Sequence, residues 1–324
     1  MIIDFNDDCW DRTDQEWQCN LGALLVLIMM REQHAVLADP TAMLKWLEVH
    51  LPPFVTYFNS RLRSAQPRSG AVRLEISPAG ASEFTSPPPW KVTASAAHAL
   101  VEEPLRLVLE NDDSDQLFVK STVPKFADWC ARRYVQVEMG GGSTMENKIV
   151  RAANDTIGRW RTFFLFDSDR LHPTELIPGW LPPAEDDCQG HKFEAKCAGM
   201  PRQRWHGLKR RSIENYLPQS VLSDANAQTT AALFNEGLSE MRNFYNFKKG
   251  LRGDGLHPDK PNPARAARSQ GFWASLTPEL QSALNTGYGT KIAERFNAVP
   301  ENHVWSADVI AESEAFASAL QDAM

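Results

Sequence analysis

The sequence lacks an apolar run long enough to cross a bilayer, an excess of basic charge and an even set of cysteines. Its longest apolar stretch, Leu21 to Met30, stops at Arg31, Glu32 and Gln33. A membrane span needs about 18–20 apolar residues, so this stretch predicts a core helix. The first residues carry Asp4, Asp7 and Asp8 and lack the positive segment of a secretory signal. Five cysteines (Cys9, Cys19, Cys130, Cys188 and Cys197) are odd in number and irregularly spaced, which reads as reduced thiols in a cytoplasmic protein. Lysine and arginine total 34 against 41 acidic residues, a net charge of −7. That balance does not favour polyanions, so a nucleic-acid role requires a local basic surface and metal ions. The Gly-x-x-x-x-Gly-Lys-Ser/Thr phosphate loop is absent, no Ser-His-Asp or Cys-His arrangement stands out, and no internal repeat is visible.

What is present is an ordinary soluble composition, 43% hydrophobic and 23% charged over 324 residues. That length suffices for two domains or for one with large additions. Residues 1–100 read as mostly helical, with helices over Trp17–Glu32 and Pro40–His50. The Ser-, Pro- and Gly-rich stretch from Ser64 to Pro89 is loop or short-strand material and the expected domain boundary. Residues 226–324 read as a helical C-terminal region, interrupted by a basic, Pro-rich loop over 248–268.

Between these lie two acidic clusters, each at the end of an apolar run. Leu105–Leu109 runs into Glu110-Asn111-Asp112-Asp113-Ser114-Asp115, and Phe163–Phe166 runs into Asp167-Ser168-Asp169. Runs of this length predict buried strands. With a further strand over 134–139 and helices over about 115–133 and 144–160, the order is β-α-β-α-β. Pro124 is expected to kink or restart the first helix. The pattern predicts an α/β fold with a parallel sheet, a core over 101–225 and a polar insertion at 170–204. Carboxylates at the carboxyl ends of such strands converge on the crevice of an open sheet. Glu110 with Asp-x-Asp is an oxygen-donor set suited to Mg²⁺ or Mn²⁺. Extended alternation would turn Asp167 and Asp169 to the same side.

These landmarks resemble the Toprim fold, in the branch found in overcoming-lysogenization-defect (OLD) nucleases of phage defence. Glu110 ends the first strand, Gly140-Gly141-Gly142 follows the second, Asp167-Ser168-Asp169 follows the third, and Ile213-Glu214-Asn215-Tyr216-Leu217 is similar to the family's Glu-Asn-Tyr segment. The resemblance covers residues 104 to about 225. It departs from the usual Glu-Gly-x-x-Asp motif, since Asn111 replaces the glycine and Asp115 lies five residues beyond Glu110. Asn tolerates left-handed backbone, so the turn is expected to survive.

The resemblance implies a metal-dependent nuclease acting on DNA or RNA. Its metal ligands would be Glu110, Asp115, Asp167, Asp169 and Glu214, with Glu110, Asp167, Asp169 and Lys209 as catalytic residues. Arg202, Arg204, Arg210 and Arg211 would contact nucleic acid, and Trp205 among them would stack on a base. Family members work with an ABC-type ATPase. This chain has no such motif, which implies a separate ATPase partner, an antiviral defence role and a possible homodimer. Bland alternatives stand beside each assignment. Asp-Ser-Asp is also common turn and N-cap material, Glu214 could cap a helix or pair with Arg211, and the basic runs could be solvated loops. Cys188, His191, Cys197 and His206 match no common zinc spacing. A topoisomerase or primase would need a cleaving-tyrosine or zinc-binding domain that is not visible. A non-catalytic Toprim-fold interaction subunit is the rival from another class.

Overall fold

The computed structural model describes residues 1–64, 71–78, 81–85, 87–201, 204–255 and 261–324. It is an α/β fold with two four-stranded sheets, both entirely parallel. The first consists of β1 (Ile2–Phe5), β2 (Ala35–Leu37), β3 (Arg73–Ile76) and β4 (Trp90–Val92), in the order β2-β1-β3-β4. Helix Gln15–Met30 packs on it through Leu21, Leu24, Leu25 and Ile28, the i, i+3, i+4, i+7 stripe of a core helix. Asp14 starts this helix by accepting the Trp17 N–H at 2.9 Å. Asp39 and Pro40 start helix Pro40–His50 in the same way.

The second sheet consists of β5 (Leu105–Leu109), β6 (Val135–Met139), β7 (Thr162–Phe166) and β8 (Trp205–Gly207), in the order β6-β5-β7-β8. β7 is buried along its whole length, as a strand covered on both faces must be. The chain leaves β5 to one side to build β6, then crosses back to place β7 on the other. The switch point therefore lies between β5 and β7, where Leu109 pairs with Leu165. Pro124 splits the expected long helix into Asp112–Thr122 and Phe126–Ala131.

Two domain expectations change. The N-terminal hundred residues are built on a sheet as well as helices, and the segment expected to be a boundary contributes β3 to it. The division between the two cores falls at Glu103–Pro104, beside the expected start of the second region at 101: one core ends at Val101 and the next begins at Leu105. Nor is 226–324 a separate helical region. Its side chains share the core of the second sheet, with Phe316 edge-on to Phe163 and Phe296 edge-on to Phe118. The two sheets also share a strand order that the sequence did not show as a repeat. In each, Asn-Asp-Asp follows the first strand, but the residue before it is buried Phe5 in one and Glu110 in the other. No helix among the described residues is long and apolar enough to cross a membrane.

Candidate active site

Glu110 and Asp167 follow adjacent strands across the switch point, so the topology brings them together. The Asp167 N–H donates to the Glu110 carboxylate, and Asp167 Oδ1 accepts the Ile213 N–H at 3.0 Å. The glycine turn closes over the tip of β5, where the Gly141 N–H donates to the Glu110 carbonyl at 2.8 Å. Gly140 is required there, because a Cβ would stand 2.7 Å from the Leu109 carbonyl oxygen; Gly141 has φ +58°. Asn111 does not adopt the left-handed turn expected of it. At φ −126° it is extended, and its N–H donates to Asp115 Oδ2 at 3.0 Å. Asp115 thus sits in the first turn of the following helix, buried and held by the segment that replaces the usual glycine.

Asp167 and Asp169 are not related by strand alternation. β7 ends at Phe166, and Asp169 has φ +52°. Its N–H donates to the Arg211 carbonyl at 2.9 Å, and its carboxylate accepts the N–H of Gly190 at the start of helix Gln189–Cys197. A Cβ at Gly190 would collide with the carbonyl oxygens of Ser168 and Asp167. Gly190→Ala is therefore expected to destabilise the chain by about 1–3 kcal/mol and to displace the Asp-Ser-Asp turn. Thermal unfolding and divalent-ion titration would check both; a variant matching wild type in both would show that the helix can slide away at no cost.

The carboxylates repel one another in a partly dry crevice. Burial, then Asp169 and Asp115, push the Glu110 carboxyl up to about 8. Burial pushes Asp115 up to about 6, against the Asn111 N–H and the Ser114 hydroxyl, with Glu214 adding to the rise. Asp167 is held well above the usual carboxylate range by burial and by Glu110, Glu214, Asp115 and Asp169. Asp169 is raised by burial, although Arg211, the Gly190 N–H, Arg265 and Lys248 oppose it. Such a cluster stores repulsion that a bound cation relieves.

Lys248 is the residue that sequence reasoning missed as part of this site. Its Nζ lies 2.9 Å from Oε1 of Glu214. Burial works to lower the Lys248 pKa, but Glu214, Asp167 and Asp115 outweigh it and keep the ammonium charged. Glu214 itself is 1% exposed, and its Oε2 is buried with no hydrogen-bond partner. It neither caps a helix through its side chain nor pairs with Arg211. The only signal of Lys248 in the sequence was its place at the head of the basic loop.

The basic residues expected to meet nucleic acid are instead structural. Arg204 is fully buried, donates to the Trp160 carbonyl at 2.8 Å and lies over the Trp160 ring; burial lowers its pKa to about 10. Arg210 joins the Asn215 carbonyl to Asp308, and Arg211 is locked to the buried Asp254. Lys209 is exposed, and Lys248 rather than Lys209 faces the carboxylates. Arg202 lies outside the described residues. Trp205 stacks on Phe166 at 5.9 Å, which occupies one face of its indole. His206 pairs with Glu312, His191 meets Trp180, and burial pushes the Cys197 thiol up to about 12, a poor state for a zinc ligand.

Among the described residues no three His, Cys, Asp or Glu side chains stand close enough together to hold a metal ion. The donors nevertheless suit a hard cation in kind: five oxygen-bearing side chains, mutual repulsion and the orphaned Glu214 Oε2. Loading would require side-chain rotation. Compared with protein-family models, with curated proteins and with solved structures, the chain matches none.

Proposed function

We propose that the chain is a metal-dependent nuclease, a Toprim-type phosphodiesterase acting on DNA or RNA. One observation supports this reading: Glu110 and Asp167 follow adjacent strands at the switch point of a parallel sheet, and burial together with the neighbouring carboxylates, Asp115 and Asp169 among them, raises the pKa of both. Glu110, Asp115, Asp167, Asp169 and Glu214 would hold Mg²⁺ or Mn²⁺. Such ions supply charge to the phosphate oxygens and make water a stronger nucleophile at neutral pH. Glu110, whose carboxyl is pushed up to about 8 in the metal-free chain by burial and its acidic neighbours, would give up its proton as a cation is bound. Lys248 brings a fixed positive charge beside Asp167, suited to a phosphate oxygen. The Asp167 and Gly190 N–H groups hold the Glu110 and Asp169 carboxylates in place. Control by a separate ATPase in antiviral defence belongs to the same proposal and rests on the family resemblance.

The uncollected donor set favours a second reading, a non-catalytic interaction subunit that keeps the fold. The test is cleavage of plasmid, single-stranded DNA and total RNA with Mg²⁺ or Mn²⁺, alongside calorimetric Mn²⁺ binding. Wild type is expected to bind Mn²⁺ and cut, and Glu110→Ala and Asp167→Ala to lose both. Cutting that persists equally in both variants would remove these residues from the chemistry. A chain that binds no Mn²⁺ would be the interaction subunit.

A further inference from the structure

Next to Asp169 lies a cleft of about 480 Å³, walled by Glu146, Asp187, Gln189, Lys192, Phe193 and Arg265. Three of its charges are already matched at the surface: Lys192 pairs with Asp187 at 2.7 Å, and Glu146 with Lys196 at 3.3 Å. Arg265 differs. Its Nε–H donates to both oxygens of Asp186, at 3.1 and 3.4 Å, and Asp186 is 4% exposed. Asp186 is fixed in turn by Arg268, whose guanidinium also holds Glu175. The two terminal nitrogens of Arg265 have no hydrogen-bond partner among the described residues. The guanidinium is thus anchored through Nε, and the side chain lines the cleft beside Asp169.

We propose that Arg265 grips a substrate phosphate next to the scissile bond, as a positioning residue of the carboxylate site. This rests on the phosphodiesterase reading above. A planar fork matches two phosphate oxygens, and the anchored Nε means that little side-chain freedom is lost on binding. Lys192 and Glu146 are taken up by their own surface pairs, which leaves Arg265 as the cationic donor a phosphate would meet in this cleft. Arg265 takes the role that Arg210 and Arg211, locked in the fold, do not fill.

The test measures binding without turnover. The full chain is titrated into a labelled single-stranded DNA and a labelled RNA oligonucleotide with Ca²⁺ in place of Mg²⁺, over a range of salt. Adding Arg265→Ala is expected to weaken binding about 10- to 100-fold and to reduce the salt slope by about one ion. Arg265→Lys should restore only part of the loss, and Lys192→Ala should change affinity less than about threefold. Since Arg268 still holds Asp186, the Arg265→Ala chain is expected to melt like its parent. Unchanged affinity and slope in Arg265→Ala, beside a parent that binds, would overturn this assignment alone. A parent that binds neither oligonucleotide would overturn it together with the nuclease reading.

Discussion

Glu110→Gln is expected to melt higher than the wild-type chain at pH 8 and to cut nothing. The Glu110 pKa rises from its ordinary 4.5 to about 8 in the folded chain, so folding favours its protonated form. Its contribution to stability is fully present below about pH 4.5 and is lost as pH rises through about 8. Between these limits the metal-free wild type should lose on the order of a few kcal/mol, less whatever its coupled neighbours share. Glutamine keeps the shape and removes the charge. The variant should therefore match wild type near pH 5 and exceed it at pH 8, by several degrees in Tm for a chain of this size. Saturating Mn²⁺ should reverse the order, since cation binding expels the proton and rewards the carboxylate. Melting curves at three pH values, with and without Mn²⁺, decide it. A Glu110→Gln chain less stable than wild type at pH 8 would mean that a partner holds Glu110 charged.

Lys248→Met should be the most damaging single change near the site. It strands the carboxylate of Glu214, which is 1% exposed and already has one oxygen without a partner. Leaving a buried charge uncompensated costs about 3–5 kcal/mol, and the part-exposed lysine brings the expected loss to about 3 kcal/mol. Glu214→Gln added to Lys248→Met should recover most of that stability but none of the activity, because the ammonium facing Asp167 is still missing. Denaturant unfolding of the two single variants and the double variant closes the cycle. Equal destabilisation in Lys248→Met and in the double variant would show that packing of the lysine stem, not its charge, matters.

The second sheet was legible because β5 and β7 are mostly apolar runs followed directly by acidic residues, and β6 alternates as Val135-Gln136-Val137-Glu138-Met139. Glu110 and Asp167 could be read as neighbours from strand ends and topology, whereas Asp115 was singled out through the family motif. β1 to β4 were not legible, since strands of three or four residues such as Arg73-Leu74-Glu75-Ile76 are too short to show a period. The arginines misled for a different reason. A basic run reads the same whether its guanidinium groups face solvent or, as at Arg204, Arg210 and Arg211, are buried among carbonyls and carboxylates. Asp169 escaped because alternation ends where the strand does, one residue before Asp167. Lys248 and Arg265 reach the crevice from loops and helices whose approach only the tertiary fold determines.

The helix Ala307–Ala323 gives synthesis of this chain a definite timetable. It places Phe316 against Phe163, and its Glu312 accepts the Tyr216 hydroxyl at 2.6 Å and the Lys209 N–H at 2.7 Å. The first sheet has a core of its own and can close while later residues are still in the ribosome. The second sheet cannot finish packing until this helix has emerged. The segment Lys209–Tyr216, which carries Glu214 and supports Asp167 through Ile213, is among the parts that wait for it.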